Sequence, residues 1–257
     1  MRRCLVVLGL AVPAACAGPR ALEPASRTAQ VRPGVLEWNI GIDQEGGQKE
    51  GPSPLVEVIL PATYRGRAVW RVVHRDADPT TPGSAASYDM YDVDRATLVP
   101  VRSIMSREGL YLALAFDAGK VTIDTRDENG SRRDEVTVRD PMPEGPGLTV
   151  LLASLPLRAG FRTSFAIVDR WDEAARVKQM DLVVGASETI RTPLGRCDAR
   201  EVTLAARDGT VRIRAWVRTE PPHYPLKMEY IRGELALVSE VARMVLDDAP
   251  AACASPR

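Results

Sequence analysis

The chain offers few residues whose types and spacing suit catalysis, and the sharpest candidate is one cysteine with one histidine. Cys197 lies in "RTPLGRCDAREVTL" and His223 lies in "TEPPHYPL". A thiolate nucleophile needs a neighbouring imidazole or another cation to lower its pKa, so a Cys197/His223 pair would define a thiol enzyme. Because any β-rich chain with one of each residue offers such a pair by chance, we predict no catalytic residue.

Two other interpretations of Cys197 compete with a nucleophile. The thiol could form a disulfide with Cys253, or it could be a small buried hydrophobe at the foot of a strand. The second is favoured, since Cys253 lies in the Ala/Pro-rich end "DDAPAACASPR". If Val202 and Leu204 face inward, a regular strand would turn Cys197 outward. We therefore predict a β-bulge near Asp198–Ala199. The bulge would turn Cys197 inward as a free thiol with a raised pKa.

The remaining signals for metals, cofactors and nucleic acids are weak. His74 and His223 are the only histidines and do not stand at metal-ligand spacing. The acidic run "YDMYDVDR" lacks the pattern of a calcium loop, and Asp92 and Asp94 are expected to cap a turn instead. Lys+Arg and Asp+Glu both number 34, which disfavours a nucleic-acid partner. We predict no metal and no cofactor.

The first residues resemble an export signal. "MRRCLVVLGLAVPAACAG" has two arginines, a short apolar run and small residues, so residues 1–17 are predicted to be a signal peptide and residues 18–33 a flexible tether. Cleavage after Ala17 and lipidation of Cys16 remain alternatives. Either way we expect export from a bacterial cytoplasm to the periplasm, with contact to the outer membrane only through a lipid anchor at Cys16.

Alternation of apolar and polar residues dominates the rest of the chain and predicts strands. In "VRIRAWVR" the residues Val211, Ile213, Ala215 and Val217 share one face. The same period of two recurs in many segments, among them Trp38/Ile40/Ile42, Val56/Val58/Leu60, Trp70/Val72/His74, Leu110/Leu112/Leu114/Phe116, Phe161/Thr163/Phe165/Ile167 and Leu226/Met228/Tyr230. Gly-containing pairs between them, such as Asn129-Gly130 and Asp208-Gly209, are typical of hairpin turns.

These signals predict an all-β fold. We expect residues 34–246 to form a single β-rich domain, an antiparallel meander curled into a barrel or half-barrel, followed by a disordered tail at residues 247–257. The continuous apolar run "GPGLTVLLASLP" at Gly145 to Pro156 predicts one short helix or buried plug on the concave side. If that concavity is open, its predicted apolar lining is Trp38, Trp70, His74, Leu112, Leu114, Phe116, Leu151, Leu152, Phe165 and Ile213.

Four stretches carry a resemblance to a known family: "YDVDRATLVPVRS", "LLASLPLRAGFRTSFAIVD", "VVGASETIRTPLGRCDAREVTL" and "AWVRTEPPHYPLKMEYI". Together they resemble the bacterial envelope family known as domain of unknown function 3108, over about Tyr88 to Leu237. Here Ile190 stands where Val is usual. The resemblance implies a secreted or lipid-anchored β-rich domain, akin to the half-barrels around a helix in bacterial lipoprotein carriers, and it implies no reaction.

Three functional hypotheses follow. The first is a non-enzymatic exported protein whose concave face holds an apolar ligand, such as a lipid or acyl chain, or a segment of an envelope protein. The second is a structural or assembly module of the envelope without a small-molecule site. The third is an enzyme that uses Cys197 and His223. The oligomeric state does not follow from the sequence.

Overall fold

The structure is a computed structural model that describes residues 31–44, 50–76, 87–169, 176–247 and residue 253. The expected signal peptide, Cys16, most of the tether and most of the loop after Arg75 therefore lie outside the described residues.

One antiparallel sheet of 14 strands forms the described part of the chain. Its strands are β1 (Gly34–Gln44), β2 (Glu50–Tyr64), β3 (Arg67–Asp76), β4 (Tyr88–Asp94), β5 (Pro100–Arg107), β6 (Leu110–Asp117), β7 (Lys120–Asp127), β8 (Gly130–Thr137), β9 (Arg162–Asp169), β10 (Arg176–Thr192), β11 (Gly195–Ala206), β12 (Arg212–Arg218), β13 (Pro225–Arg232) and β14 (Leu235–Leu246). The helical part is short: a 3₁₀ turn (Gly145–Gly147) leads into α1 (Leu148–Ala153).

The strand order is that of a curled meander left open at one seam. From edge to edge the order is β8 to β1, then β14 back to β9, so β1 and β14 are neighbours in the middle of the sheet. The edges β8 and β9 do not pair with each other. The segment between them carries α1, and next to the open seam Met142 donates a backbone hydrogen bond to Ala166 of β9. The predicted all-β fold, an antiparallel meander curled into a barrel or half-barrel with one short apolar helix, is confirmed.

Tight turns account for the meander. Arg65 and Gly66 both have positive φ, as do Ala118 and Gly119, which is the geometry of the turns that match the twist of paired strands. The predicted turn at Asp208–Gly209 also has its glycine at positive φ. Each turn returns the chain directly beside the strand that it has just left.

All six residues of α1 are buried. The helix therefore packs inside the curled sheet. Val150 and Ala153 join the apolar cluster that includes Trp38, while Leu151 and Leu152 join a second cluster formed mainly by β9 to β12. Gly147 allows the close approach of this segment to the sheet, since a Cβ there would lie 2.8 Å from Cδ1 of Tyr91. Any larger residue would displace the turn from β4.

Two details of strand orientation differ from the sequence prediction. On β2 the fully buried residues are Glu57 and Ile59, whereas Val56, Val58 and Leu60 are half-buried. Both faces of this strand carry apolar residues, so alternation alone could not identify the inner one.

The second correction concerns the predicted bulge near Asp198–Ala199. The irregularity lies on the neighbouring strand, where the register of β10 against β11 shifts between Val184 and Ser187. The pairing of β11 with β12 is continuous from Ala199 to Ala205. Ala199 and Val202 therefore belong to opposite faces and to different apolar clusters.

Cys197 is buried, as predicted, but it is not a free thiol. It forms a disulfide with Cys253, with the two Cα atoms 5.1 Å apart. Cys253 lies in the segment expected to be a disordered tail and is itself buried. The prediction of a free thiol with a raised pKa was wrong, because the residue that covers Cys197 is its disulfide partner.

Candidate ligand-binding cavity

A cavity of about 610 Å³ opens inside one end of the curled sheet. Its walls come from the middle parts of β1, β2 and β13, the last residues of β3, β5 and β9, and the first residues of β4, β6, β12 and β14. In an antiparallel meander these ends meet at the same rim. The 3₁₀ turn and the start of α1 form the remaining wall. The volume falls within the range of about 300–1,000 Å³ that is common for small-molecule sites.

Most of the lining is apolar. The apolar residues are Trp38, Ile40, Leu55, Met105, Leu110, Pro146, Leu148, Ile213, Met228 and Leu237. Because α1 is short and begins at Leu148, it fills only the deeper part of the barrel and leaves this end without a plug.

Of the ten residues predicted to line a concavity, Trp38, His74 and Ile213 line this cavity. The other seven pack in the two apolar clusters: Trp70, Leu112, Leu114 and Phe116 in the cluster with Trp38, and Leu151, Leu152 and Phe165 in the second cluster. They lie deeper along the strands, where the sheet and α1 are in contact. The apolar lining residues that the sequence did not single out include Met228, in the middle of β13, and Leu237, near the start of β14.

One wall of the cavity carries an ordered hydrogen-bonded pair. His74 and Glu57 stand directly opposite each other on β3 and β2, and Nε2 of His74 lies 2.5 Å from Oε2 of Glu57. The Glu57 side chain is fully buried, whereas that of His74 is 19 % exposed and lines the cavity. The hydroxyl of Thr149 on α1 donates a second hydrogen bond to Oε2 of Glu57, at 3.1 Å. The imidazole is thus held in one orientation by a carboxylate that is itself tied to the helix.

The sequence analysis did not identify Glu57 as a site residue. A glutamate within the apolar strand "PLVEVILP" was the available signal, because an acidic side chain is rarely buried without a partner. Its meaning depended on knowing which face of β2 is buried. That information came only with the pairing of β2 to β3.

Charged side chains also line the cavity. Nη2 of Arg107 lies 3.5 Å from Oδ2 of Asp89. Two further carboxylates belong to Glu144, just before the 3₁₀ turn, and Asp169, at the end of β9. Asp169 is paired with Lys178, at 2.7 Å, and with Arg232, at 3.6 Å.

Tyr230 lies close to both of these carboxylates. Burial and, to a smaller extent, the negative charges of Asp169 and Glu144 together raise the pKa of the Tyr230 phenol to about 12, against an opposing effect of Arg232. The phenol therefore remains protonated at neutral pH and can donate a hydrogen bond. The cavity thus combines an apolar lining with polar groups at defined positions.

The candidate catalytic pair does not form a thiol site. Cys197 is bonded to Cys253, and Nδ1 of His223 lies 3.0 Å from the backbone oxygen of Arg218. Burial lowers the pKa of His223, which favours the neutral ring. The third functional hypothesis therefore loses the free thiol on which it depended.

The acidic run in β4 is structural. Asp92 is fully buried and accepts hydrogen bonds from Arg71 and Arg102 at 2.7–3.1 Å. Asp94 caps the following turn by accepting from the backbone N–H groups of Ala96 and Thr97, as predicted, whereas the predicted turn-capping role of Asp92 was wrong. Within the described ranges, no group of three or more His, Cys, Asp or Glu side chains is arranged to hold a metal ion.

Within the same described part of the chain, no helix has the length and apolar character that a membrane span requires.

A comparison with one solved structure supports the fold. A β-barrel-like protein of domain of unknown function DUF1849 from Brucella abortus superimposes with a TM-score of 0.57 at 12% identity, covering 86% of this chain and all of that one. Two further structures match with TM-scores of 0.34 at 11% identity. One is a candidate exported protein with a YmcC-like fold from Bacteroides fragilis, with 84% of this chain and 97% of that chain covered. The other is the hypothetical lipoprotein YmcC from Escherichia coli, with 84% and 85% covered.

The sequence comparison is more specific. No curated protein matches the chain. The family model described as "Protein of unknown function (DUF3108)" matches residues 56–233, a range that extends from β2 through β13 and includes Glu57, His74 and Tyr230. The match covers more than half of the sequence, so the chain belongs to the DUF3108 family.

Proposed function

We propose that this protein is a non-enzymatic binding protein of the cell envelope. It holds the apolar part of a ligand in the cavity inside one end of its curled sheet. The observation that carries the proposal is the cavity itself: about 610 Å³, lined mainly by apolar side chains and left open by a helix that begins at Leu148. A lipid or an acyl chain is the ligand class that such a lining accommodates.

Two features support an envelope location. The first residues have the layout of a signal peptide or a lipoprotein leader, with Cys16 as the candidate lipidation site. The disulfide between Cys197 and Cys253 belongs to an oxidising compartment such as the periplasm, since thiols are kept reduced in the cytoplasm. Neither feature depends on the cavity.

The affinity for uncharged chains provides a graded test. Each methylene transferred from water to an apolar site contributes about 0.8 kcal/mol, which corresponds to roughly a fourfold change in Kd. In competition with a fluorescent apolar probe, a series of n-alkanols should therefore bind more tightly with each added carbon. The increase should stop at the length that fills the cavity.

Matched variants locate the site. Ile213 lines the cavity and is nearly buried, whereas Val177 on β10 is one of the exposed large hydrophobic residues. Ile213→Trp should weaken binding of the longer alkanols at least tenfold, because the indole occupies cavity volume, and Val177→Trp should leave it unchanged. No dependence on chain length, or equal binding by both variants, would overturn the proposal and favour a structural module of the envelope.

A further inference from the structure

We propose that one end of the curled sheet is a docking surface for an anionic phospholipid bilayer. It is the end at which β1 begins and β14 ends, and we call it the basic end. The cavity lies toward the opposite end, where β3 and β5 finish and β4 and β6 begin. The inference goes beyond the proposed function, because it concerns a different surface and does not depend on a bound ligand.

Six exposed arginines lie at the basic end. In an antiparallel meander the turns alternate between the two ends, so the β2–β3, β4–β5 and β10–β11 turns lie at the same end as the start of β1. These turns and the residues next to them, with the segment before β1, carry Arg32, Arg65, Arg67, Arg95, Arg191 and Arg196. None of the six forms an ion pair with a carboxylate of the described residues. Their charges are therefore available to an anion from outside the chain.

Two of these arginines face each other. Arg191 on β10 and Arg196 on β11 are directly opposite in the strand register, and both are exposed. Like charges directly opposite each other on paired strands destabilise the pairing. An anionic group that contacts both guanidinium groups would remove this repulsion and form charge-assisted hydrogen bonds.

The two ends of the sheet differ in the sign of their charge. Four described hairpin turns lie at the cavity end, and each contains an exposed carboxylate: Glu108, Glu128, Asp208 and Glu234. A negatively charged surface would therefore attract the basic end and repel the cavity end. This asymmetry favours one orientation of the protein on a bilayer, with the cavity turned away from the lipid.

Exposed carboxylates at the basic end are too few to cancel its charge. In the connections of this end, and in the two strand residues next to each, they are Asp117, Asp140, Glu220 and Asp247. Lys120 stands opposite Asp117, and Arg218 lies 3.1 Å from Glu220. Further exposed basic residues at the same positions are Arg139, Arg158 and Arg162. The basic end therefore keeps an excess of positive charge.

The chain that leads back to Cys16 leaves the described fold at this same end. The backbone N–H of Arg32 donates a hydrogen bond to the hydroxyl of Tyr224, at 2.9 Å, and that hydroxyl donates to the backbone oxygen of Arg32. Tyr224 is fully buried, so the segment before β1 is fixed where it joins the sheet. A lipid on Cys16 would therefore connect the bilayer to the basic end.

A bilayer suits this surface better than a nucleic acid does. The export signal and the disulfide both indicate a compartment outside the cytoplasm. Guanidinium groups bind the phosphate of an anionic head group with two donors at once. Each arginine near such a surface should strengthen binding about fivefold.

Binding to vesicles tests the proposal. The chain that begins at Gly18 is the product expected from cleavage after Ala17, and it contains every described residue but not Cys16. Sedimentation with vesicles of phosphatidylcholine alone, or of equimolar phosphatidylcholine and phosphatidylglycerol, measures its partition coefficient without a lipid anchor. We expect binding to the anionic vesicles to be stronger by at least about tenfold at low salt. That preference should disappear near about 1 M salt, which screens the charges.

Matched charge reversals locate the surface. Arg191→Glu/Arg196→Glu and Arg65→Glu/Arg67→Glu should each weaken binding to the anionic vesicles by at least about tenfold. Arg176→Glu/Arg212→Glu is the control, because it changes the net charge equally at the first residues of β10 and β12, which lie at the cavity end. Both control arginines are exposed and have no ion pair within the described part of the chain. Denaturation midpoints show whether each variant is folded, and two separate basic-end variants keep the test valid if one of them unfolds.

The outcomes separate a bilayer from other partners. Equal binding to neutral and anionic vesicles, or equal losses in the control and the basic-end variants, would overturn the proposal. A short DNA duplex that binds as tightly as the anionic vesicles, and loses binding in the same variants, would show a general polyanion site and overturn the assignment to a bilayer. Losses confined to the basic-end variants, with weak DNA binding, would support it. Alkanol binding tests the cavity separately, since none of the substituted arginines lines it.

Discussion

The disulfide between Cys197 and Cys253 joins the start of β11 to a residue beyond the last strand, across 56 positions of sequence. It closes a loop that contains β12, β13 and β14, including the strand that pairs with β1. A bond that closes a loop of this length restricts the unfolded chain much more than the folded one.

Removing this bond should therefore reduce stability without changing the fold. We expect the double variant Cys197→Ser/Cys253→Ser to lose about 2–4 kcal/mol in the free energy of unfolding, measured by chemical denaturation. Either single variant should lose a similar amount, since each removes the same bond. Identical denaturation midpoints for the oxidised protein and the double variant would contradict this role.

The buried carboxylate of Asp92 should be far more important for stability than a surface carboxylate with the same kind of partner. Asp92 is fully buried between Arg71 and Arg102, whereas Asp124 forms a two-point contact with Arg133 on the exposed surface.

We expect Asp92→Ala to lower the free energy of unfolding by about 2–4 kcal/mol, because two arginines lose their common partner in a partly buried site. Asp124→Ala should change it by less than about 1 kcal/mol. Equal effects of the two substitutions in chemical denaturation would show that the burial of Asp92 does not matter.

His223 should make the protein less stable in mild acid. Its pKa is lowered from 6.5 by burial, so as the pH falls the unfolded chain takes up this proton before the folded one does. The stability contributed by the neutral ring is present above about pH 6.5 and is lost as the pH falls through the lower folded pKa.

Two measurements check this behaviour of His223. The NMR titration of the ring in the folded protein should have its midpoint below 6.5, and His223→Gln should reduce the loss of stability between neutral pH and pH 5. A midpoint above 6.5 would contradict the prediction. His74 is the only other histidine, so the two ring signals can be assigned with one variant.

The sequence was sufficient for the fold because its strands repeat one local pattern. Alternation such as that of Leu112, Leu114 and Phe116 predicts a half-buried strand, and glycines such as Gly66 and Gly119 predict the turns. Short hairpins leave few ways to connect such strands except as a meander. The helix at Leu148–Ala153 was predictable from an apolar run without that alternation.

The site was less predictable because it depends on how far along its strand each inward-facing residue lies. Alternation predicts the face of a residue but not that position. Leu114 and Ile213 both alternate inward, yet Leu114 packs in the core and Ile213 lines the cavity, since the position of α1 decides which end is filled. Glu57 was missed for a related reason, because both faces of β2 are apolar in sequence. The pairing of Cys197 with Cys253 requires a contact between segments that no local pattern connects.

The central claim, that the cavity holds an apolar ligand, is tested most directly by native mass spectrometry of the protein purified from its own host. We predict that the native spectrum contains a species heavier than the polypeptide, that the excess mass is lost under denaturing conditions, and that Ile213→Trp purified in the same way lacks it. A native wild-type spectrum with no non-covalently bound mass, or with the same bound mass in Ile213→Trp, would contradict the claim.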